Sequence, residues 1–228
     1  MPTNLKIRAV RRLGLTLAFL MAILFLPAGS FRFWEAWLFW GLMAASWTYF
    51  FIVLLINDPA LLERRLRSKE SEPQQKLLLR VFSTLLYSGF ILAGLDFRFG
   101  WSSSKFGNMP LGLVLAGQAG AVVGYWFVFW VMKTNSFAGS TIHIEAEQVV
   151  IEAGPYAWVR HPMYSGMIVT AVCAPFALGS YVALPAFAMI VPALILRLVQ
   201  EEKTLHRELA GYSGYCERTQ FRLLPWVW

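Results

Sequence analysis

Long apolar runs broken by short polar stretches dominate the chain. Four windows, residues 13–31, 33–56, 77–95 and 111–132, are long and apolar enough to cross a bilayer, for which about 20 residues suffice as a helix. A fifth apolar region, residues 163–199, is too long for one helix. Pro175 and Gly179-Ser180 divide it, which predicts a helical hairpin. The first window follows Lys6, Arg8, Arg11 and Arg12 as the apolar part of a signal peptide does. It is longer than such a part usually is, and Pro27-Ala28-Gly29-Ser30 runs straight into another span, so it is read as a retained helix. The connection between the first two spans is short enough to predict an antiparallel pair. Gly89, Gly94, Gly112, Gly117, Gly120 and Gly124 in the third and fourth spans predict close helix packing.

Two polar stretches interrupt this pattern. Residues 61–76 alternate Leu with Arg, Lys and Glu, which suits either an amphipathic helix on the inner surface or a loop covering a site. After residue 132 the chain turns polar, and TIHIEAEQVVIEAG at 141–154 alternates as short extended structure does. The expected fold is an all-α integral membrane protein of about four transmembrane helices, a C-terminal helical hairpin and a cytoplasmic tail. Residues 1–132 form its N-terminal helices and residues 133–228 its chemical part.

Composition supports the membrane reading, since 57% of the 228 residues are hydrophobic and 14% charged, far from a soluble domain's balance. The net charge of +7 suggests nucleic acid until the charges are located. With the N-terminus inside, the inner segments hold nearly all Lys and Arg, and only Arg32, Arg98 and Lys105 fall outside. That asymmetry predicts cytoplasmic N- and C-termini, with lipid headgroups rather than nucleic acid as the partner of the basic residues. Trp34 and Trp37, near the start of the second span, suit an interfacial belt. Cys173 and Cys216 form no disulfide framework, and His143, His161 and His206 show no metal-ligand spacing, so no metal is expected. No GxGxxG fingerprint occurs.

The chemistry concentrates at GPYAWVRHPMYSG, residues 154–166. Gly154-Pro155 reads as a turn, and Pro162 suits the first turn of a helix. Arg160 and His161 then stand at a helix N-terminus, where unpaired N–H groups and the macrodipole favour an anion. A charged anchor at the membrane surface would use the same residues. Gly166 lets a ligand or another helix approach the backbone. A second constellation, Arg197, Glu201 and Glu202, ends the hairpin. Arg197 with Glu201, and Glu202 with His206, have the spacing of ordinary helix-surface pairs, but acids at the mouth of a membrane hairpin favour a ligand.

In order, Asn135-Ser136-Phe137, GPYAWVRHPMYSG, Glu201-Glu202 and the tail from Gly211 to Pro225 resemble the isoprenylcysteine carboxyl methyltransferase and phospholipid N-methyltransferase group of membrane enzymes. The resemblance covers about the last hundred residues. It implies methyl transfer from S-adenosylmethionine to an amphiphilic acceptor, with the tail folded over the cofactor site. It further implies cofactor contacts from Asn135, Tyr156, Arg160, His161, Tyr164, Gly166, Glu201, Glu202 and Pro225. For the acceptor, an isoprenylcysteine-type carboxylate or a lipid head group, the charges of Arg197 and Arg222 suit a carboxylate, whereas an amine needs a base or arrives deprotonated. The tail departs from the group's FGxxYxxY form, having Leu209-Ala210-Gly211-Tyr212 and then Tyr215, which bears on the acceptor. Two rival readings are a nicotinamide-dependent reductase of the sterol-reductase type and a non-enzymatic membrane protein that keeps the fold.

The charge asymmetry generates a topological prediction. Reporter domains fused at Lys69 and after Trp228 should report the same, cytoplasmic side of the membrane; opposite sides would refute the predicted orientation.

Overall fold

The computed structural model describes residues 3–67, 73–135, 137 and 148–228. Four long helices correspond to the four apolar windows: α1 (Thr3–Ala28), α2 (Trp34–Asn57), α4 (Pro73–Phe99) and α6 (Leu111–Thr134). The hairpin follows as α7 (Pro162–Ala177), then the short α8 (Leu184–Ala188) running into α9 (Ile190–Glu208). Among the described residues, five helical stretches are long and apolar enough to cross a membrane: Leu5–Ala28, Trp34–Asn57, Pro73–Phe99, Leu111–Thr134 and Leu184–Glu208. The chain is an all-α, multi-pass integral membrane protein. Smaller helices sit at the bundle ends: α3 (Pro59–Arg67), α5 (Trp101–Phe106) and α10 (Tyr212–Arg218), with a 3-10 turn at Gly154–Ala157.

Several expectations shift in detail. α1 begins ten residues before its apolar window, at Thr3, because Lys and Arg are good helix formers and the helix continues past the point where its residues stop being apolar. Pro175 does not divide the hairpin. It lies in the last turn of α7, and the chain breaks at Gly179, whose φ of 65° is left-handed. The 61–76 stretch is resolved in favour of helix over Pro59–Arg67, with Pro73 opening α4; residues 68–72 lie outside the described residues. The extended segment expected at 141–154 falls largely outside them too, and the described 148–153 pair with no strand.

The tightest contact joins α6 to α7. Gly117, Gly120 and Gly124 on α6 face Phe176–Ala177, Cys173 and Thr170–Gly166 on α7, so close that a Cβ on Gly124 would stand 2.8 Å from the Gly166 oxygen. In lipid, where apolar side chains gain little from leaving the solvent, such small-residue seams let dispersion hold helices together. A Cβ on Gly89 would meet the fully buried Phe187 ring at 2.6 Å, which seats α8 against α4, and Gly94 seats α4 on α1 at the Leu24 oxygen. Gly112, by contrast, has nothing within 4 Å and makes no helix contact.

The two ends of the bundle are polar in different ways. At the end away from the motif, the buried Asp96 carboxylate accepts the Ser102 N–H at 2.7 Å and the hydroxyls of Ser102 and Ser180, tying α4, α5 and the α7–α8 turn together. Nearby, the Gln118 side-chain amide donates to the carbonyls of Glu35 and Ala177 at 3.0 and 2.9 Å. At the motif end Arg8 reaches Glu63 at 2.9 Å and Gln75 donates to Gln200 at 2.8 Å, gathering α1, α3, α4 and α9.

The seam makes a measurable demand. Gly117→Ala and Gly124→Ala should each cost about 1–3 kcal/mol by overpacking and lower the midpoint of thermal unfolding in detergent. Gly112→Ala should leave it unchanged or slightly raised. Equal midpoints for all three would contradict a close-packed seam.

Candidate active site

The stretch 154–166 is positioned by α6, by the N-terminus of α7 and by the C-terminal tail. Asn135, just past α6, donates from Nδ2 to the Tyr156 hydroxyl at 3.1 Å and accepts the Phe137 N–H at 2.9 Å. Tyr156 is held from its other side as well, its carbonyl accepting the Tyr215 hydroxyl of α10 at 2.7 Å. Burial pushes the Tyr156 phenol up to about 12, so it stays a hydrogen-bonding hydroxyl at neutral pH.

The N-terminus of α7 meets protein. The backbone N–H groups of Arg160 and His161 donate to the carbonyls of Phe221 and Arg222, each at 2.9 Å, and the Ser165 hydroxyl donates to the Leu223 carbonyl at 2.6 Å. The tail thus takes the N–H groups of the two residues that lead into α7, which satisfies its own carbonyls as well. It is stabilised in turn by Trp228, whose main-chain oxygen accepts the N–H groups of Arg222 and Leu223 at 2.8 and 2.9 Å. The Arg222 guanidinium packs on the Trp228 ring at 5.1 Å. Pro225 lies half-buried within this segment.

Beneath the tail, Glu202 joins the charges that the resemblance assigns to a cofactor. Its carboxylate takes Arg160 Nε at 2.8 Å on one oxygen and Arg222 Nε at 2.7 Å on the other, with His161 Nε2 at 3.4 Å. Arg160 is filled further by the carbonyls of Thr219 and Gln220, at 3.0 and 2.9 Å. The surface pairing of Glu202 with His206 gives way to this cluster, while His206 Nδ1 lies 3.1 Å from the Ser213 hydroxyl.

Glu201 points elsewhere. Successive residues of an α-helix are rotated by about 100°, so Glu202 faces the tail and Glu201 faces the bundle interior. There Glu201 accepts the Tyr164 hydroxyl at 2.6 Å, and that same hydroxyl oxygen accepts Arg197 Nε at 3.0 Å. Tyr164, Arg197 and Glu201, with Arg65 from α3, line one cavity of about 550 Å³. Its other walls are mainly apolar, among them Leu20, Phe39, Met43, Phe90, Met167 and Leu194. Gly166 is used against α6, where a Cβ would stand 2.7 Å from Val128, so of the two approaches its lack of a side chain permits, the helix is the one seen.

Residues 114–207 match the profile of the isoprenylcysteine carboxyl methyltransferase (ICMT) family. This stretch of the chain is similar to that family. The match spans α6 to nearly the end of α9, including the 154–166 stretch and both glutamates, and it supports a membrane methyltransferase. The fold is shared with a solved structure described as the eukaryotic intramembrane Ras methyltransferase ICMT. That similarity has a TM-score of 0.59 at 18% identity and covers 92% of this chain and 75% of the other. No curated protein matches the chain.

Of the predicted residues, the ICMT-like region and the tail bring Arg160, His161, Glu202 and Arg222 into one cluster and Tyr164, Arg197 and Glu201 into another. Arg222 stands with the first and does not line the cavity. Arg65 does, and sequence reading missed it. The available signal was its spacing from Leu61 and Leu62, which puts the three on one face of a helix. Among the described residues no group of His, Cys, Asp and Glu has metal-site geometry.

The cluster at Glu202 should hold the tail in place. Removing one partner of a buried ion pair costs about 3–5 kcal/mol, so Glu202→Gln should expose the segment after α10 and speed tryptic cleavage at Arg218 and Arg222 at least tenfold. Glu208→Gln, whose partner Arg207 is on the surface, should leave cleavage unchanged. Equal cleavage of both variants would mean that the tail is held by other contacts.

Proposed function

We propose that the protein transfers a methyl group from S-adenosylmethionine to a carboxylate-bearing amphiphile whose apolar tail lies in the cavity between the helices. The observation that carries this reading is the cavity itself: mainly apolar in its walls and lined also by Tyr164, Arg197 and Glu201. An acceptor that is greasy along its body and anionic at its head matches both parts, since each buried methylene contributes about 0.8 kcal/mol. The charge asymmetry of the sequence supports placing this end at the cytoplasmic face.

The residues present suit the cofactor. S-adenosylmethionine has a carboxylate, an ammonium, a ribose diol and a sulfonium, and needs cations for the first and acceptors for the rest. Arg222, about a third exposed, can take the carboxylate, and the Glu201 carboxylate can accept from the ammonium or the diol. Tyr156, Asn135, Arg160, His161, Glu202 and Pro225 shape the floor and cover around them, with Gly166 setting the spacing to α6. When bound, the cofactor supplies an electrophilic methyl group on its sulfonium.

The chain's own residues supply alignment and a dry medium. Arg197 can orient a carboxylate, and Tyr164 links Arg197 to Glu201 so that their heads keep a fixed spacing. A carboxylate acceptor is already the nucleophile and needs no proton removed. The site accordingly needs no free base, in keeping with a Glu201 that is hydrogen-bonded to a hydroxyl. Union of a cation with an anion is favoured where water is excluded, which the apolar walls provide. We infer that residues 133–228 carry the cofactor side, while the acceptor side is shared with α1, α2, α3 and α4.

The test is methyl transfer in proteoliposomes, with methyl-labelled S-adenosylmethionine and carboxylate acceptors that share a head and differ in tail length. Rates should fall steeply as the tail is shortened, and Glu201→Gln should lower kcat/KM at least tenfold, as expected from about 1.5–3 kcal/mol for a charged hydrogen bond. Label transfer that is absent, or indifferent to tail length, would overturn the proposal.

A further inference from the structure

We propose that Arg65 of α3 is a specificity-determining residue that selects an anionic acceptor head at the polar end of the cavity, in the place that charge in the sequence suggests for Arg222. The inference rests on the methyltransferase reading above but names a residue outside the ICMT-like region, on a helix that family similarity does not reach.

The position of Arg65 follows from how α3 is held. The Asp58 carboxylate accepts the Leu61 N–H at 2.9 Å and caps the helix at its N-terminus. Leu61 and Leu62 are buried in a cluster with Ala9, Phe50, Leu54 and Phe129, and Glu63 is tied to Arg8 of α1. Arg65 lies four residues from Leu61 and three from Leu62, on the same face, and that face delivers its side chain to the cavity. Arg197 reaches the same cavity from α9, and between them these helices bring two guanidiniums to one polar end.

A guanidinium at an apolar cavity is an expensive arrangement, since desolvation of a charge opposes it. Burial accordingly pulls the Arg65 pKa down to about 10; Tyr156 opposes that shift, and Arg64 adds to it. The side chain is still a cation at neutral pH. Its planar fork matches a carboxylate in two parallel hydrogen bonds, which a neutral or cationic head cannot reproduce. An amine head would instead meet two like charges. Arg222 does not take this part, because it stands at the Glu202 cluster and does not line the cavity.

Two measurements on Arg65→Gln and Arg65→Lys test the proposal. The first is binding of a fluorescent long-chain carboxylate, and of the alcohol of the same chain, to protein in nanodiscs. Arg65→Gln should weaken the carboxylate about tenfold or more and leave the alcohol unchanged, while Arg65→Lys should recover part of the loss. The second is methyl transfer, where KM for the carboxylate should rise with kcat little changed. Equal losses for acid and alcohol would mean that Arg65 only supports the fold, and no loss for either would mean that it does not face the head; both overturn the inference. Because the binding arm needs no turnover, an Arg65-dependent carboxylate preference without methyl transfer would refute the reaction and leave this inference standing. Turnover that is indifferent to Arg65 would do the reverse.

Discussion

A buried carboxylate with three basic neighbours makes it possible for a polar tail to close over the end of an apolar bundle. Glu202 stands at the mouth of a membrane hairpin, where an unpaired charge is strongly disfavoured, and Arg160, Arg222 and His161 surround it. Those partners come from the start of α7 and from the tail, so satisfying one charge fixes the relation of three segments. Arg160 extends the effect by taking two tail carbonyls, and the backbone pairing at Phe221 and Arg222 completes it. Buried ion clusters add little net stability compared with apolar packing, but losing one member is costly, which makes such a cluster a device for specifying geometry.

The adjacent residue works in the opposite environment. Glu201 meets Tyr164 and Arg197 at the edge of the cavity, in surroundings that strengthen every electrostatic contact because water is scarce. Two neighbouring acids therefore serve two sides of one helix, one organising the cover and one facing the proposed acceptor. The division holds because α9 is rigidly placed by Ile190, Leu194 and Leu198, all buried in the main core.

The bundle that carries these groups is set by small residues and by polar clasps at its far end. The α6–α7 seam brings Gly124 and Gly166 backbone to backbone, and since Tyr164 lies just before that contact, the seam also sets where its hydroxyl stands. The Asp96 clasp holds the turn from which α8 and α9 return. Lipid offers no water to backbone or side-chain polar groups, so turns at membrane depth are stable only when protein satisfies them.

Much of this was legible in the residues themselves. Apolar run length determined the spans, the clustering of Lys and Arg pointed to one face, and the 154–166 stretch with the glutamates marked the candidate site, because each of these is a local property of composition or order along the chain. Glycines at 117, 120 and 124 announced a helix seam, although Gly112, of the same type and in the same helix, faces nothing; small size permits contact but does not choose a neighbour. Tertiary structure alone decided that Arg160 and Glu202 pair with each other, that Arg222 joins them on the second oxygen of Glu202 and that Arg65 lines the cavity. Those outcomes depend on a tail folding back across α7 and on α3 docking under α2 and α6, contacts between residues far apart in sequence. The energy of a buried charge is set by which partners arrive there, and no single segment carries that information.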